Sequence, residues 1–145
     1  MSTIHPSAEV DKDAEIGNGV EIGPFCVIGP NVKIGDNSVL HSHVSIAGHT
    51  TLGSGNEIFP YASLGHIPQD LKFDNEKSFL EIGDGNRIRE NVTINLGTKG
   101  GGGITRVGNN GLFMVGAHVA HDCIVGDNIV MANNAALGGH VEVEN

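Results

Sequence analysis

The chain has no apolar stretch approaching the roughly 18 residues that a membrane-spanning helix needs. Its first residues also lack the basic start and apolar run of a signal peptide. Positive charge is scarce: 8 lysines and arginines face 17 acidic residues, for a net charge of −9. Binding to nucleic acid requires a basic face, and binding to an anionic membrane requires a polybasic patch. The chain has too little positive charge for either, so we expect no nucleic-acid partner and no membrane insertion.

Cysteine is sparse as well, because Cys26 and Cys123 are the two thiols of the chain. Both fall at positions where the repeat described next puts small, inward-facing residues. We therefore expect reduced thiols in the core of a cytoplasmic protein. A disulfide is not indicated, and a catalytic thiol would have to point out of the core.

What the chain has in abundance is glycine and a strict spacing of aliphatic residues. Glycine supplies 22 of 145 residues, about twice its usual share. A disordered, low-complexity chain has no reason to keep a register, yet an aliphatic residue occurs at every sixth position from residue 4 to residue 64. The series is Ile4, Val10, Ile16, Ile22, Ile28, Ile34, Leu40, Ile46, Leu52, Ile58 and Leu64.

A period of six belongs to neither of the common elements, because helices repeat at about 3.6 residues and strands at 2. It is typical of an all-β fold, the parallel β-helix, in which each hexapeptide repeat is one short strand and a bend. Three repeats form one triangular coil, so residues 18 apart are predicted to stack, at a distance of about 4.8 Å.

The aliphatic series stops after Leu64 and resumes at Ile82, Ile88 and Ile94. Asp70 and Glu76 would occupy core positions in between, where an unpaired carboxylate costs several kcal/mol. Residues 66–79 are therefore expected to leave the coil as a loop, and loops that leave a rigid repeat commonly carry function.

A second break is the glycine-rich run Gly97–Gly103, which lacks the GxxxxGK[ST] pattern of a phosphate-binding loop. We expect a loop over about residues 97–104, because Ile94 and Val107 are one residue out of phase. The two breaks leave 21 hexads, or about seven coils of a single domain covering residues 1–145. The series after the second break is Val107, Phe113, Val119, Val125, Met131, Leu137 and Val143.

The segment Ala117–Cys123 is the richest in chemistry. Val119 and Cys123 take inward positions, so His118 and His121 should face outward. Gly139 follows His121 by 18 residues and should lie one coil above it, with His140 beside it. Histidine can accept a proton near neutral pH, and a backbone N–H can hold a developing oxyanion. The pattern predicts an active site with His118, His121, Gly139 and His140 on one face.

Zinc is the rival interpretation of this cluster, because three histidines and a water form a catalytic zinc site when the imidazoles converge on one point. Asp70 and Lys72 lie in the first expected loop. They are either solvated charges or part of a site that reaches over a neighbouring coil or subunit. Other histidines are expected to be surface residues, namely His5, His41, His43 and His49.

Several motifs of the chain resemble one family, the acyl-carrier-protein:UDP-N-acetylglucosamine O-acyltransferases that open lipid A biosynthesis. The hexads alone would indicate only the broader hexapeptide-repeat transferases. The Gln-Asp-Leu-Lys and His-Val-Ala-His-Asp-Cys segments, in this order and spacing, are more specific. The matching segments are Ile22–Cys26, Gln69–Lys72, Ile82–Asp84, Arg87–Glu90, Gly116–Cys123, Ala132–Asn134 and Gly138–Val141.

The resemblance implies a left-handed β-helix and a homotrimer with active sites in clefts between subunits. It implies that His121 is the general base for the sugar 3-hydroxyl, that Asp122 orients His121, and that the Gly139 N–H stabilises the oxyanion. Transfer would run directly from acyl carrier protein to UDP-N-acetylglucosamine, with no covalent enzyme intermediate, no cofactor and no metal. The implied substrate-binding residues are Gln69, Asp70, Lys72, His118 and His140.

The chain departs from the family at two places. Asn95 stands where many members have histidine, and the sequence stops at Asn145. The resemblance implies that family members continue through further coils and a C-terminal helical domain, and that this further part includes the basic residues that receive the acidic carrier protein. We therefore expect a fragment that lacks this docking surface. The alternatives are a truncated β-helical trimer that binds sugar nucleotide or only self-associates without catalysis, and a trimeric zinc hydratase of similar fold.

Overall fold

The computed structural model describes residues 1–145, which wind into a left-handed parallel β-helix with three flat sides. The 21 strands form three parallel sheets of seven strands each. The all-β fold class, the hexapeptide period and the number of coils are thus as predicted. The left hand is unusual, because parallel crossover connections are nearly always right-handed.

Successive strands belong to successive sheets. The first sheet contains β1 (Thr3–Ile4), β4 (Glu21–Ile22), β7 (Val39–Leu40), β10 (Glu57–Ile58), β13 (Arg87–Ile88), β16 (Leu112–Phe113) and β19 (Val130–Met131). The second contains β2 (Glu9–Val10), β5 (Val27–Ile28), β8 (Ser45–Ile46), β11 (Ser63–His66), β14 (Thr93–Asn95), β17 (His118–Val119) and β20 (Ala136–Leu137). The third contains β3 (Glu15–Ile16), β6 (Lys33–Ile34), β9 (His49–Leu52), β12 (Phe79–Ile82), β15 (Ile104–Val107), β18 (Ile124–Val125) and β21 (Glu142–Val143).

The stacking interval changes at the two loops. In uninterrupted coils partners are 18 residues apart, as for Val119 and Leu137. Across the first loop the interval is 30, so that Leu52 pairs with Ile82. Across the second it is 25, so that Ile94 pairs with Val119. Both loops leave the coil stack at the corner between the second and third sheets.

The loop bounds differ slightly from the expected 66–79 and 97–104. The first loop covers residues 67–78, because His66 ends β11 and Phe79 begins β12. The second covers residues 96–103, since Ile104 already belongs to β15, and it contains a single 3₁₀ turn at Lys99–Gly101. The Phe79 amide donates to the Gly103 carbonyl at 2.9 Å, which joins the end of one loop to the end of the other.

The core is a column of the aliphatic residues that define the period. Those of the central coils belong to one cluster of 26 buried hydrophobic residues, in which Phe113 is among the largest side chains and is fully buried. Towards the two ends, Val10, Ile16 and Leu137 are only partly buried against the cluster, and Ile4 is exposed. Cys26 and Cys123 are also buried and unpaired, as predicted. Burial raises the pKa of both thiols, which keeps them protonated and unreactive.

One corner of the core is polar, and its groups satisfy one another. The backbone N–H of the buried Asn56 donates to the Ser38 hydroxyl, and the backbone N–H of Asn86 donates to Asn56 Oδ1 at 2.8 Å. Asn86 Oδ1 accepts in turn from the Gly111 amide at 2.7 Å. A buried polar group without a partner costs about 1–3 kcal/mol. A shift in register would break these hydrogen bonds, so the ladder helps the aliphatic column to maintain the stacking register.

No helix of the structure has both the length and the apolar character that crossing a membrane requires.

Candidate active site

The predicted site residues meet at the corner between the second and third sheets. Four successive coils contribute to it, through the loop 67–78, the loop 96–103, the turn between β17 and β18, and the turn between β20 and β21. A parallel β-helix stacks the same corner of every coil, so segments far apart in sequence become neighbours there. The corner is therefore where the loops and the histidine-rich turn converge.

His121 and Asp122 form the centre of the site. His121 lies in the turn after β17, and its Nδ1 is 2.9 Å from Asp122 Oδ2. A carboxylate only accepts hydrogen bonds, so Nδ1 carries the proton and Nε2 is left with a free lone pair. Asp122 adopts a left-handed backbone conformation with φ of 62°, which aspartate tolerates better than most residues. Its side chain is wholly shielded from solvent, whereas that of His121 is 14% exposed.

The Asp122 carboxylate is held by three donors. The Thr98 amide donates to Oδ1 at 2.8 Å, the Thr98 hydroxyl donates to Oδ2 at 2.6 Å, and His121 donates to Oδ2. Burial by itself would raise the pKa of Asp122, but the hydrogen bonds from Thr98 and His121 outweigh burial and hold the pKa below its ordinary value. Asp122 is thus an anion at neutral pH, as an orienting partner for histidine must be.

Replacing Asp122 with asparagine should make unfolding by urea easier at neutral pH and change its dependence on pH. Asparagine keeps the left-handed backbone, but its NH₂ group faces a donor, so we expect a loss of about 1–3 kcal/mol. A lowered folded-state pKa stabilises the fold above the unfolded value of about 3.9, and this contribution disappears as pH falls through the folded value. The gap in urea midpoint between wild type and Asp122→Asn should therefore be constant near neutrality and narrow below about pH 4. A gap that stays the same throughout acid titration would contradict this account.

Asp70 approaches His121 from the first loop. Its Oδ2 lies 3.8 Å from His121 Nε2, while its Oδ1 accepts the Lys72 amide at 3.0 Å within a local turn. Lys72 itself is exposed, as is Gln69. An open cleft of about 530 Å³ lies between this loop and the stacked turns, and its lining is Gln69, Asp70, Leu71, Lys72, Ala120, His121, Gly139 and His140. That volume is typical of a small-molecule site.

Gly139 lies against the His121 ring, in the position that the 18-residue interval predicts. The His140 amide donates to the His121 carbonyl at 3.1 Å, which fixes one turn above the other. A Cβ built on Gly139 would be 2.5 Å from His121 Nε2, so the ring occupies the space of the missing side chain. The Gly139 amide itself has no acceptor within the chain, so it is free to donate to a bound group.

His140 is the second imidazole of the site. Its ring stands edge-on to that of His121, with centroids 4.9 Å apart, and its Nδ1 is 4.0 Å from Asp122 Oδ2. His140 is about half exposed and lines the cleft. It is therefore placed to contact a bound molecule, whereas His121 is more enclosed.

His118 does not join this cluster, contrary to the prediction of three imidazoles on one face. It lies on β17, in the sheet rather than at the corner, and its Nδ1 is 2.7 Å from the Thr93 hydroxyl. Burial lowers the pKa of His118, and Thr93 only partly offsets it. The close group that could hold a cation is instead His121, Asp122 and His140. The three-histidine convergence expected of a zinc hydratase does not occur within the chain.

Asn95, at a position where the resemblance leads us to expect histidine, lies at the end of β14. It is buried, with 7% of its surface exposed, and it faces His66 across a bulge in the ladder. Its Oδ1 has no hydrogen-bond partner.

Sequence reasoning missed Thr98 and Glu76, which organise the site from the two loops. Thr98 binds the carboxylate of Asp122, and Glu76 accepts hydrogen bonds from the amides of Asp74 (2.7 Å) and Lys99 (3.1 Å). These amide bonds lower the pKa of Glu76 and tie the two loops together. The only signal in the sequence was a threonine inside a glycine run. The partner of Thr98 is 24 residues away, which is not the 18-residue interval that places residues on neighbouring coils.

Similar proteins share this architecture. The family described as "Bacterial transferase hexapeptide (six repeats)" matches residues 13–48. Among solved structures, LpxA from Acinetobacter baumannii is 48% identical with a TM-score of 0.95, over 96% of this chain and 54% of that protein. LpxA from Bacteroides fragilis, a UDP-N-acetylglucosamine acyltransferase, is 49% identical with a TM-score of 0.94, over 97% and 55%. The UDP-N-acetylglucosamine acyltransferase of Francisella novicida is 44% identical with a TM-score of 0.97, over 99% and 52%.

The chain thus spans about half the length of these relatives. Within that half the similarity covers the whole corner described above, including both loops and the histidine-rich turn, because the alignments include nearly all of the 145 residues. In sequence and in fold, the chain belongs to the family of the UDP-N-acetylglucosamine acyltransferases.

Proposed function

We propose that the chain carries the active site of an acyltransferase, which moves a 3-hydroxyacyl chain from acyl carrier protein to the 3-position of UDP-N-acetylglucosamine. This is the first step of lipid A biosynthesis, and it takes place in the cytoplasm. Family membership supports the substrates. The observation that carries the chemistry is the buried Asp122–His121 pair, which stands against Gly139 at the edge of an open cleft.

His121 acts as the general base. Asp122 accepts a hydrogen bond from the protonated Nδ1 and so keeps the lone pair of Nε2 free for the sugar hydroxyl. As the hydroxyl oxygen attacks the thioester carbon, its proton passes to Nε2 and a tetrahedral oxyanion forms. Collapse of this intermediate breaks the carbon–sulfur bond, and His121 returns the proton to the departing thiolate. One ester and one thiol are formed, so no covalent enzyme intermediate, metal or cofactor enters the reaction.

The oxyanion is stabilised by the Gly139 amide. This N–H is unpaired within the chain and lies beside the ring that accepts the proton. A preorganised donor beside the developing charge commonly contributes about 10²–10³-fold to the rate. The absence of a side chain at residue 139 lets both groups approach one reacting carbon.

The sugar nucleotide occupies the cleft, where Asp70, Lys72, Gln69 and His140 bind it. Asp70 is suited to accept hydrogen bonds from sugar hydroxyls, and Lys72 supplies positive charge in an otherwise acidic chain. His118 lies on β17 in the second sheet, whereas these residues lie at the corner between the second and third sheets. If His118 binds the substrate, it would contact a different part of it.

The active form is a homotrimer in which the cleft is completed by a neighbouring copy. The outward side chains of the second sheet support this arrangement, because beyond β2 they are small or uncharged and allow close packing. They are Val27, Ser45, Ser63, Thr93, His118 and Ala136. Light scattering of the purified chain at several concentrations tests the trimer.

An assay of acyl transfer beside calorimetry of UDP-N-acetylglucosamine binding tests the function. We expect transfer from an acyl-carrier thioester to the sugar nucleotide, together with saturable binding of the nucleotide in the absence of the donor. Because the chain spans about half of its relatives, a non-catalytic chain that binds sugar nucleotide is the second candidate. Binding without transfer would favour that candidate, and absence of both would reject the proposed substrates.

A further inference from the structure

We propose that Thr98 is a positioning residue for acyl transfer: its hydroxyl fixes the plane of the Asp122 carboxylate and thereby aims His121 Nε2 at the cleft. The inference deepens the function proposed above and rests on it. Thr98 forms no hydrogen bond to His121 or Gly139, so it acts on the imidazole through Asp122. It also borders a smaller cavity of about 220 Å³ that Asp70, Lys72 and His140 share.

The contacts of Thr98 are short and enclosed. Its hydroxyl donates to Asp122 Oδ2 at 2.6 Å and its amide to Oδ1 at 2.8 Å, so one residue contacts both oxygens of the carboxylate. Thr98 is 5% exposed, and the Asp122 side chain is fully enclosed. Hydrogen bonds to a buried charge are roughly twice as strong as bonds between neutral groups, which makes this pair of contacts a rigid clamp.

The clamp matters because Oδ2 is shared. It accepts both the Thr98 hydroxyl and His121 Nδ1, which lies 2.9 Å away. Without the hydroxyl, the carboxylate can rotate about its last bond and carry the imidazole with it. A base that is displaced by about 1 Å commonly loses about 10²-fold in rate. Thr98 therefore controls the orientation of the His121 imidazole through the Asp122 carboxylate, without a hydrogen bond to the imidazole itself.

Thr98 is itself held in place before any substrate binds. Its carbonyl accepts from the amides of Gly101 (3.1 Å) and Gly103 (2.7 Å), which closes the second loop over it. Gly101 packs so tightly on Asp122 and His140 that a Cβ there would overlap both side chains. The hydroxyl is thus preorganised, and water is excluded from the carboxylate.

The test compares Thr98→Val, which keeps the shape but removes the hydroxyl, with Thr98→Ser, which restores it. Thr50→Val is the matched control. Thr50 is another fully buried threonine, on β9, whose hydroxyl donates to the Ala47 carbonyl at 2.7 Å away from the site. Each purified variant is assayed for kcat and KM and is followed by carbon NMR of the Asp122 carboxyl group during acid titration.

We expect Thr98→Val to lower kcat by about 10- to 100-fold with KM changed by less than about threefold, because orientation and not binding is lost. The titration midpoint of Asp122 should rise in this variant, and Thr98→Ser should restore both quantities. Thr50→Val should lower thermal stability only. If Thr98→Val behaves like Thr50→Val in both kcat and titration, the positioning role is rejected.

Failure of the proposed function is distinguishable from failure of this inference. If the wild-type chain neither transfers an acyl chain to the sugar nucleotide nor binds the nucleotide, the proposed function is rejected, whatever Thr98 does. The Asp122 titration then decides the clamp by itself: an unchanged midpoint in Thr98→Val overturns it, and a raised midpoint that serine reverses supports it.

Discussion

Replacing His121 with alanine should lower kcat for acyl transfer by about 10²–10⁴-fold, the range that a positioned general base contributes. The fold should survive, because His121 lies in a turn outside the aliphatic column and Asp122 keeps both bonds from Thr98. The expected loss of stability is about 0.5–1.5 kcal/mol for the one hydrogen bond removed. Steady-state kinetics and thermal unfolding measure the two effects.

Two further variants separate chemistry from packing. His121→Gln retains volume and a donor for Asp122 but cannot accept the proton, so it should be nearly as slow as alanine. His5→Ala, in the first coil, removes an exposed histidine whose side chain hydrogen-bonds with Ser7, and it should leave kcat unchanged. Full activity in either His121 variant would reject this residue as the base.

Replacing Gly139 with alanine should lower kcat/KM by about 10²-fold at almost no cost in stability. The backbone of Gly139 is not in the left-handed region, so alanine fits the main chain. The new Cβ would, however, stand 2.5 Å from His121 Nε2. The imidazole can swing away because it is the end of a side chain, and this movement takes it from the position that catalysis needs.

Gly138→Ala is the matched control, because a Cβ at that neighbouring residue would meet nothing within 4 Å. Both substitutions restrict the unfolded chain equally, so a difference in activity between them reports the contact with His121. A Gly139→Ala enzyme with wild-type kcat/KM would overturn the assignment of this close approach. Equal losses in both variants would trace the effect to the backbone of the turn instead.

The aliphatic column shows why so much of the fold was predictable. Each hexad determines the direction of its own side chain locally, and 21 repetitions leave one architecture that aligns these side chains in a single inward column. The same repeat predicts that residues 18 apart stack, and it therefore placed Gly139 against His121, because no loop interrupts the coil between these two residues. The buried ladder of Asn56 and Asn86 was not anticipated, since an asparagine at a bend is equally suited to solvent.

Prediction failed where an interval other than 18 separates partners. His118 was expected beside His121, but three residues carry the chain from the face of a sheet to its corner, and the two imidazoles diverge. The approach of Asp70 to His121 depends on the path of the first loop, and the hold of Thr98 on Asp122 depends on the second. A loop that leaves the repeat no longer obeys its period.

The amino-acid sequence by itself determined the period of six, the inward column, the stacked pair at residues 121 and 139, and the resemblance to one transferase family. These follow from short-range sterics repeated without interruption, which make sequence distance equivalent to spatial distance. Only the tertiary structure decided which corner collects both loops, and that a buried carboxylate there is held by Thr98. Long-range contacts of irregular backbone depend on where the loop closes, and closure is governed by packing and hydrogen bonds that no local pattern encodes.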